Sequence, residues 1–146
     1  MAEVVFEHKA SLLGLSARFA VDSAGIAADV GFGMDRRALN ALERRGYAPK
    51  NHRARQFEPD WLDERDLVLA MDRGHLGWLE RRAVNEPHPA RLQLLLTYAA
   101  GRPETGASLE ISDPYFGAER DFDSCLSLIE AGCNGLLSEL ALDLGR

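Results

Sequence analysis

Residues 66–79 read Asp-Leu-Val-Leu-Ala-Met-Asp-Arg-Gly-His-Leu-Gly-Trp-Leu, a strand pattern that passes directly into a helix pattern. Residues 66–71 form an apolar run typical of a strand that is covered on both faces. Asp72 can cap the helix that follows. A strand followed at once by a helix is the repeating unit of a parallel sheet, so this stretch predicts an α/β fold.

The segments before this stretch continue the alternation. Residues 1–13 carry apolar residues near helical spacing, and Gly14 can end that helix. Residues 17–22 predict a short strand, and the Gly-rich residues 25–34 predict a loop. Asp35 can then cap another helix, which Gly46 can end.

The segments after it complete the order. Residues 90–98 predict a further strand. The last helix is marked by apolar residues at helical intervals, namely Phe122, Cys125, Leu126, Ile129, Cys133, Leu136, Leu137 and Leu140. Gly132 and Gly135 are expected to weaken this helix by about 1 kcal/mol each relative to alanine. We therefore predict a single domain over residues 1–146 with a three-layer, doubly wound parallel sheet.

Composition narrows the class of protein and its surroundings. The chain has 146 residues and a formal net charge of −6, which argues against a nucleic-acid partner. No stretch approaches the length of a membrane span and no signal peptide is recognisable, so we expect a cytoplasmic protein without a membrane partner. Cys125 and Cys133 are too few for a disulfide framework and lack metal-ligand spacing, so we expect no metal to be bound by them.

Four motifs, in a fixed order, carry a family resemblance. They are Val21-Asp22-Ser23-Ala24-Gly25, then Asp35-Arg36-Arg37-Ala38, then His52-Arg53-Ala54-Arg55-Gln56, then Asp113-Pro114-Tyr115-Phe116-Gly117. Together they make the chain resemble the low-molecular-weight protein tyrosine phosphatases along nearly its whole length. The one departure within these motifs is Arg36, where the family has proline.

The resemblance implies hydrolysis of phosphotyrosine on proteins, or of aryl phosphates, through a cysteinyl-phosphate intermediate and without a metal or cofactor. It implies that Asp113 is the general acid that protonates the leaving phenol. Tyr115 and Phe116 would line the substrate site, and Ser23 and His52 would support the phosphate loop. On its own, Asp113 also suits a turn that leads into a helix. Ser23 also suits a turn at a strand end, and His52 also suits an ordinary surface position. Arg53 and Arg55 are expected to form a solvated basic patch.

The family places its nucleophile in a Cys-x-x-x-x-x-Arg loop between its first strand and first helix. Ala131 follows Cys125 by six positions and Glu139 follows Cys133 by six, so neither cysteine belongs to such a loop. The chain also opens with a helix that no strand precedes. We expect that the first, central strand and the phosphate loop are missing, and that this chain is inactive.

A missing central strand would leave a gap about 10 Å wide in the sheet. We therefore expect that the chain is poorly stable, that it rearranges, or that it associates with another chain through this gap. Two other functions remain open. One is a non-catalytic phosphoprotein-binding pseudophosphatase that uses the Asp113 loop and residues 50–56. The other is an arsenate reductase of the same fold, which would need a series of reactive cysteines.

Overall fold

A computed structural model describes residues 1–83, 89–101 and 109–145. Within them, the helices are α1 (Ala2–Leu12), α2 (Arg36–Arg44), α3 (Arg73–Ala83) and α4 (Glu119–Leu144). The strands are β1 (Leu67–Ala70) and β2 (Arg91–Leu94), which run parallel with Leu67 opposite Arg91. The predicted α/β class is therefore confirmed.

The local signals at helix ends act as the sequence predicts. The Asp35 carboxylate accepts the backbone N–H of Arg37 at 2.8 Å and begins α2. The Asp72 carboxylate accepts the backbone N–H of His75 at 2.7 Å and begins α3. Gly14 and Gly46 follow α1 and α2 with φ of 70° and 81°, a left-handed conformation that glycine adopts without strain.

Two predicted strands differ from the structure. Residues 16–18 form a 3-10 turn, and residues 19–24, which begin with Phe19 in an extended conformation, are not part of a ladder among the described residues. The local sequence of residues 17–22 predicts extended backbone, but it does not predict which other strand would pair with that backbone. The strand predicted over residues 90–98 ends at Leu94, because Leu95–Tyr98 turn into a 3-10 helix whose Thr97 hydroxyl donates to the Leu94 carbonyl at 2.7 Å.

The predicted doubly wound sheet is wrong in its extent. Within the described residues the sheet holds two strands, supplemented by one isolated parallel bridge between Gly25 and Gln56. α3 packs on both strands, while α1 and α2 pack on α4. Leu67, Val68 and Leu69 of β1 remain partly exposed, although their pattern predicts burial.

The core is organised by the longest helix. α4 buries the predicted apolar stripe from Phe122 to Leu137. Gly132 and Gly135 lie where α4 crosses the Leu95–Tyr98 turn. A Cβ on Gly135 would lie 1.6 Å from the Tyr98 carbonyl oxygen, and one on Gly132 would lie 2.7 Å from Leu95 Cγ. Besides their expected propensity cost, these glycines therefore have a packing role, because they allow the turn to approach the helix.

α4 also corrects the expectation about membrane-spanning length. Its 26 residues have a mean hydropathy of 1.3 in their most apolar window, enough by length and composition to cross a bilayer. The helix is nevertheless buried along one stripe, against α1, α2 and the Leu95–Tyr98 turn. This burial is typical of the central helix of a globular core.

Candidate functional site

The segment that carries Asp113 begins at the carboxyl end of β1. The backbone N–H of Ile111 donates to the Met71 carbonyl at 2.8 Å, just past the last residue of the strand. The Glu110 carboxylate accepts the backbone N–H of Arg73, the first residue of α3, at 2.9 Å. Ligand sites of parallel α/β sheets lie at this edge.

Asp113 is exposed and takes part in a local turn. One of its carboxylate oxygens accepts the Tyr115 N–H at 2.9 Å, and the Gly117 N–H donates to the Pro114 carbonyl at 2.8 Å. The turn and the acid are compatible interpretations of this residue. The turn fixes the direction of the carboxylate, and its exposure leaves it accessible to a substrate.

Two aromatic side chains follow this carboxylate in the sequence, at two and three positions after it. The rings of Tyr115 and Phe116 meet edge to face with centroids 5.1 Å apart. Phe116 is 97% exposed and Tyr115 is 55% exposed. Because burying such rings is favourable, their exposure indicates a surface suited to contact an apolar or aromatic group.

The segment 115–117 is held from α2 by one side chain. The Arg37 guanidinium donates to the Tyr115 carbonyl at 2.8 Å and to the Gly117 carbonyl at 2.9 Å. It also pairs with Asp35 at 2.8 Å and lies over the Phe122 ring at 4.5 Å from the centroid. The second and fourth motifs of the sequence are therefore in contact in the fold.

The first and third motifs form another contacting pair. The Gly25 N–H donates to the Arg55 carbonyl at 2.9 Å, and the Phe57 N–H donates to the Gly25 carbonyl at 2.8 Å. The Gln56 side chain donates to the Ile26 carbonyl at 2.9 Å and accepts from the Ala28 N–H at 3.0 Å. Gln56 therefore fixes the start of the Gly-rich loop.

Ser23 and His52 line one cleft of about 350 Å³ at the first turn of α1. The Ser23 hydroxyl donates to the Glu3 carboxylate, which lies in that turn. Among the described residues, those lining this cleft do not include Asp113, Tyr115 or Phe116. The structure thus groups the predicted site residues into two clusters.

Two charged groups act on the Cys125 thiol, one from the acid loop and one from the amino end of α1. Burial is the main reason that the pKa of Cys125 rises to about 11, and the Asp113 carboxylate adds to the rise. The Met1 ammonium, at the start of α1, acts on the same thiol in the opposite sense. The acid loop and the amino end of α1 are therefore both within electrostatic reach of Cys125.

The predicted basic patch over residues 50–56 is largely neutralised. Lys50 pairs with Glu7 at 3.0 Å, and Arg53 donates to the Gly31 carbonyl at 3.2 Å. Arg55 pairs with Asp22 at 2.9 Å. Arg53 and Arg55 remain exposed, as expected of a solvated patch, and each of these cations also connects two segments of the fold.

Asp22 holds two arginines around one indole ring. Arg65 approaches the Asp22 carboxylate at 2.6 Å, and Arg55 shares the same oxygen. Both guanidinium groups lie over Trp61, 4.5 Å and 5.0 Å from the ring centroid respectively. This cluster links the segment that precedes Ser23 to the 3-10 turn at Pro59–Leu62.

These pairings predict a loss of stability in acid. The Arg65 guanidinium, followed by that of Arg55, holds the pKa of Asp22 below its usual range, and Arg37 does the same for Asp35. A carboxyl group whose pKa is lower in the folded state stabilises the fold above its unfolded pKa, about 3.9. That contribution is lost as the pH falls through the lower, folded pKa. We expect urea midpoints to change little from pH 7 to 5 and to fall below about pH 4.

The double variant Asp22→Asn with Asp35→Asn provides the check. It should start with a lower urea midpoint at pH 7, and its midpoint should fall less than that of the parent protein between pH 5 and pH 3. Parallel pH curves for the two proteins would show that these carboxylates do not cause the acid sensitivity.

The two cysteines do not suit redox chemistry. Cys125 and Cys133 are free thiols buried in the α4 stripe. Burial raises the pKa of Cys133 to about 12, as it raises that of Cys125. A reactive cysteine needs a lowered pKa and access to solvent. The arsenate reductase alternative therefore finds no support in these residues.

Sequence reasoning missed three contributors to the site: Glu3, Arg37 and Gln56. Arg37 lies inside a recognised motif, but its partners Tyr115 and Gly117 are 78 and 80 residues away. No local pattern predicts such a contact. Over residues 1–83, 89–101 and 109–145, no group of three or more His, Cys, Asp or Glu side chains could hold a metal ion.

Parallel strands with an acidic, aromatic loop at their carboxyl edge define an α/β protein with a candidate ligand site at that edge. The family model described as low molecular weight phosphotyrosine protein phosphatase matches residues 1–145. The chain belongs to this family.

Individual relatives agree with this membership. A low molecular weight protein-tyrosine-phosphatase of Streptomyces coelicolor is 39% identical over 139 residues, which cover 94% of this chain and 83% of the relative. A crystal structure of a protein tyrosine phosphatase from Entamoeba histolytica has a TM-score of 0.86, covers 97% of this chain and 88% of its own, and at 24% identity supports the fold. A Drosophila protein described as an arginine phosphatase has a TM-score of 0.85 at 29% identity, and the match covers 95% of this chain and 87% of its own.

Proposed function

We propose that this domain is built to hydrolyse phosphate monoesters, with phosphotyrosine of proteins or an aryl phosphate as the substrate and Asp113 as the general acid. The observation that carries the proposal is the position of Asp113. Its exposed carboxylate stands at the carboxyl edge of the sheet, next to two exposed aromatic rings. A substrate ring packed on Tyr115 and Phe116 would present its ester oxygen near this acid.

The acid needs a nucleophile and a phosphate cradle. A phosphate is best held by backbone N–H groups at a helix N-terminus together with an arginine. In this fold the first turn of α1 is the position suited to that role, because Ser23 and His52 line the cleft beside it. We propose that Ser23 and His52 support such a phosphate loop.

Residues 1–146 contain no Cys-x-x-x-x-x-Arg sequence. We therefore propose that these residues alone do not complete the reaction. Two observations support the view that a central strand belongs in this sheet: residues 19–24 pair with no strand within the part of the chain that the structure describes, and β1 is partly exposed. Pairing of these edges with a second copy is the alternative, and it would make the oligomeric state depend on concentration.

Phenyl phosphate hydrolysis tests the proposal on two proteins. One is the chain of 146 residues, and the other carries a strand and a Cys-x-x-x-x-x-Arg loop fused ahead of Met1. We expect turnover at background for the first and clear turnover for the second. Serine in place of the added cysteine is the matched control and should abolish turnover. Phosphoarginine is a useful second substrate, given the similar Drosophila protein.

Each failure has a distinct meaning. Turnover by the chain of 146 residues that depends on Asp113 would show that its own residues supply a nucleophile. A well-folded extended chain without turnover would overturn the phosphatase assignment. Saturable binding of a phosphotyrosine peptide without turnover would favour the pseudophosphatase, although the neutralised cations of residues 50–56 do not support it.

The remaining features of the proposal concern organisation and surroundings. We infer that residues 1–146 act as one domain, which the cluster of buried side chains shared by the described helices and strands supports. We also place the protein in the cytoplasm, without a nucleic-acid, membrane, metal or cofactor partner. The two free buried thiols and the acidic net charge of −6 support this view.

A further inference from the structure

We infer that Arg37 is a positioning residue for the general acid, and that it acts by holding the main chain of residues 115–117 against α2. The inference rests on the proposed function, because it concerns the loop that presents Asp113. It goes further by assigning the orientation of this loop to a side chain that does not touch the substrate.

The Arg37 guanidinium contacts two carbonyls of one short turn. Both terminal nitrogens of the guanidinium donate to carbonyls of the same short turn, those of Tyr115 at 2.8 Å and Gly117 at 2.9 Å. A planar fork that binds two acceptors fixes their orientation as well as their distance. The turn between these carbonyls carries the exposed Phe116.

The Arg37 side chain is itself held in place by other residues. Its Nε and one terminal nitrogen bind the two carboxylate oxygens of Asp35, at 3.1 and 2.8 Å. Asp35 also caps α2 through the Arg37 N–H. The guanidinium packs over Phe122 of α4 at 4.5 Å. Two core helices therefore fix the side chain before it meets the loop.

The backbone segment that Arg37 holds, residues 115–117, also contacts the carboxylate of Asp113. The Tyr115 N–H donates to the Asp113 carboxylate, and Arg37 holds the carbonyl of the same residue, so the placement of the Tyr115 backbone constrains where that carboxylate points. On the far side, the Ala118 N–H donates to Asp121 in the first turn of α4 at 2.6 Å. The loop is thus fixed at α4, and Arg37 is its link to α2. A general acid works only at hydrogen-bond reach of the leaving oxygen, so this orientation decides its effect.

Amide hydrogen exchange measured by NMR tests the inference without any turnover. The variant Arg37→Lys keeps the charge beside Asp35 but lacks a fork that reaches two carbonyls. We expect the amides of Tyr115, Gly117 and Ala118 to exchange roughly tenfold faster than in the parent protein, consistent with the loss of one to two hydrogen bonds. Buried amides of α4, such as those of Leu126 and Ile129, should keep their rates.

Arg44→Lys is the matched control. Arg44 also lies on α2 and reaches across to α4, where it binds both oxygens of Asp123 at 3.1 and 3.0 Å. Its replacement should leave the loop amides unchanged. Unchanged loop amides in Arg37→Lys would overturn the inference, and so would a uniform acceleration that includes α4.

A second measurement separates positioning of the acid from a purely structural role. In the extended, active form of the protein, Arg37→Lys should lower kcat on phenyl phosphate about tenfold, and less than about twofold when Asp113 is already Asn. Equal losses in both backgrounds would overturn the inference. Absence of turnover in every form would instead refute the proposed function, and the exchange rates would still decide whether Arg37 holds the loop.

Discussion

Replacement of Gly135 by alanine is expected to be among the most damaging single changes in the chain. The new Cβ would lie 1.6 Å from the Tyr98 carbonyl oxygen and 2.5 Å from its carbonyl carbon. These are main-chain atoms of a buried turn, which cannot move aside as a flexible side chain can. We expect a loss of at least about 3 kcal/mol in the free energy of unfolding, at the upper end of overpacking effects.

Gly77→Ala is the matched control for this prediction. Gly77 also lies inside a helix, α3, but a Cβ there would meet only the end of the Arg81 side chain at 3.4 Å. Alanine should stabilise this position by up to about 1 kcal/mol through helix propensity. Urea denaturation followed by circular dichroism compares the two variants. A Gly135→Ala midpoint at or above that of the parent protein would contradict the contact.

The second large effect is expected from Asp113→Asn in the extended, active form of the protein. The amide cannot donate a proton to the departing phenolate, so kcat on phenyl phosphate should fall at least about a hundredfold. The loss should be much smaller on 4-nitrophenyl phosphate, whose leaving group departs without protonation. Steady-state kinetics at pH 6 on both substrates measures the difference.

Asp123→Asn serves as the control for that experiment. Asp123 is an exposed carboxylate on α4 that pairs with Arg44 at 3.0 Å, away from the acid loop. Its replacement should leave kcat unchanged on both substrates. If Asp113→Asn lost the same factor on the two substrates, the carboxylate would be serving the structure of the loop and not the proton transfer.

What the sequence predicted correctly depends on local chemistry. Asp35 and Asp72 cap helices because a carboxylate can reach N–H groups two or three residues ahead, and this is visible in a single segment. The stripe of α4 follows from helical periodicity alone. The family resemblance also came from short motifs, and the match over residues 1–145 confirms it.

What the sequence did not predict depends on distant partners. Residues 17–22 have a strand pattern, but the described residues supply no ladder for them. Residues 95–98 have the composition of a strand, yet they turn and pack against the glycines of α4. The link from Arg37 to Tyr115 and Gly117 joins two motifs that look independent in the sequence. In each case the outcome is decided by tertiary contacts.

The Arg37 contact has a consequence for the interpretation of natural variation. A change at position 37 lies in a helix, 76 positions before the aspartate whose loop it holds, and a survey based on sequence distance would classify it as remote. Because of this contact, position 37 belongs to the same structural unit as residues 113–117, and we expect the two to change together among relatives. Variants at Asp35, Arg37 and the loop should therefore be judged jointly, and a swap of the loop between relatives should carry its arginine along.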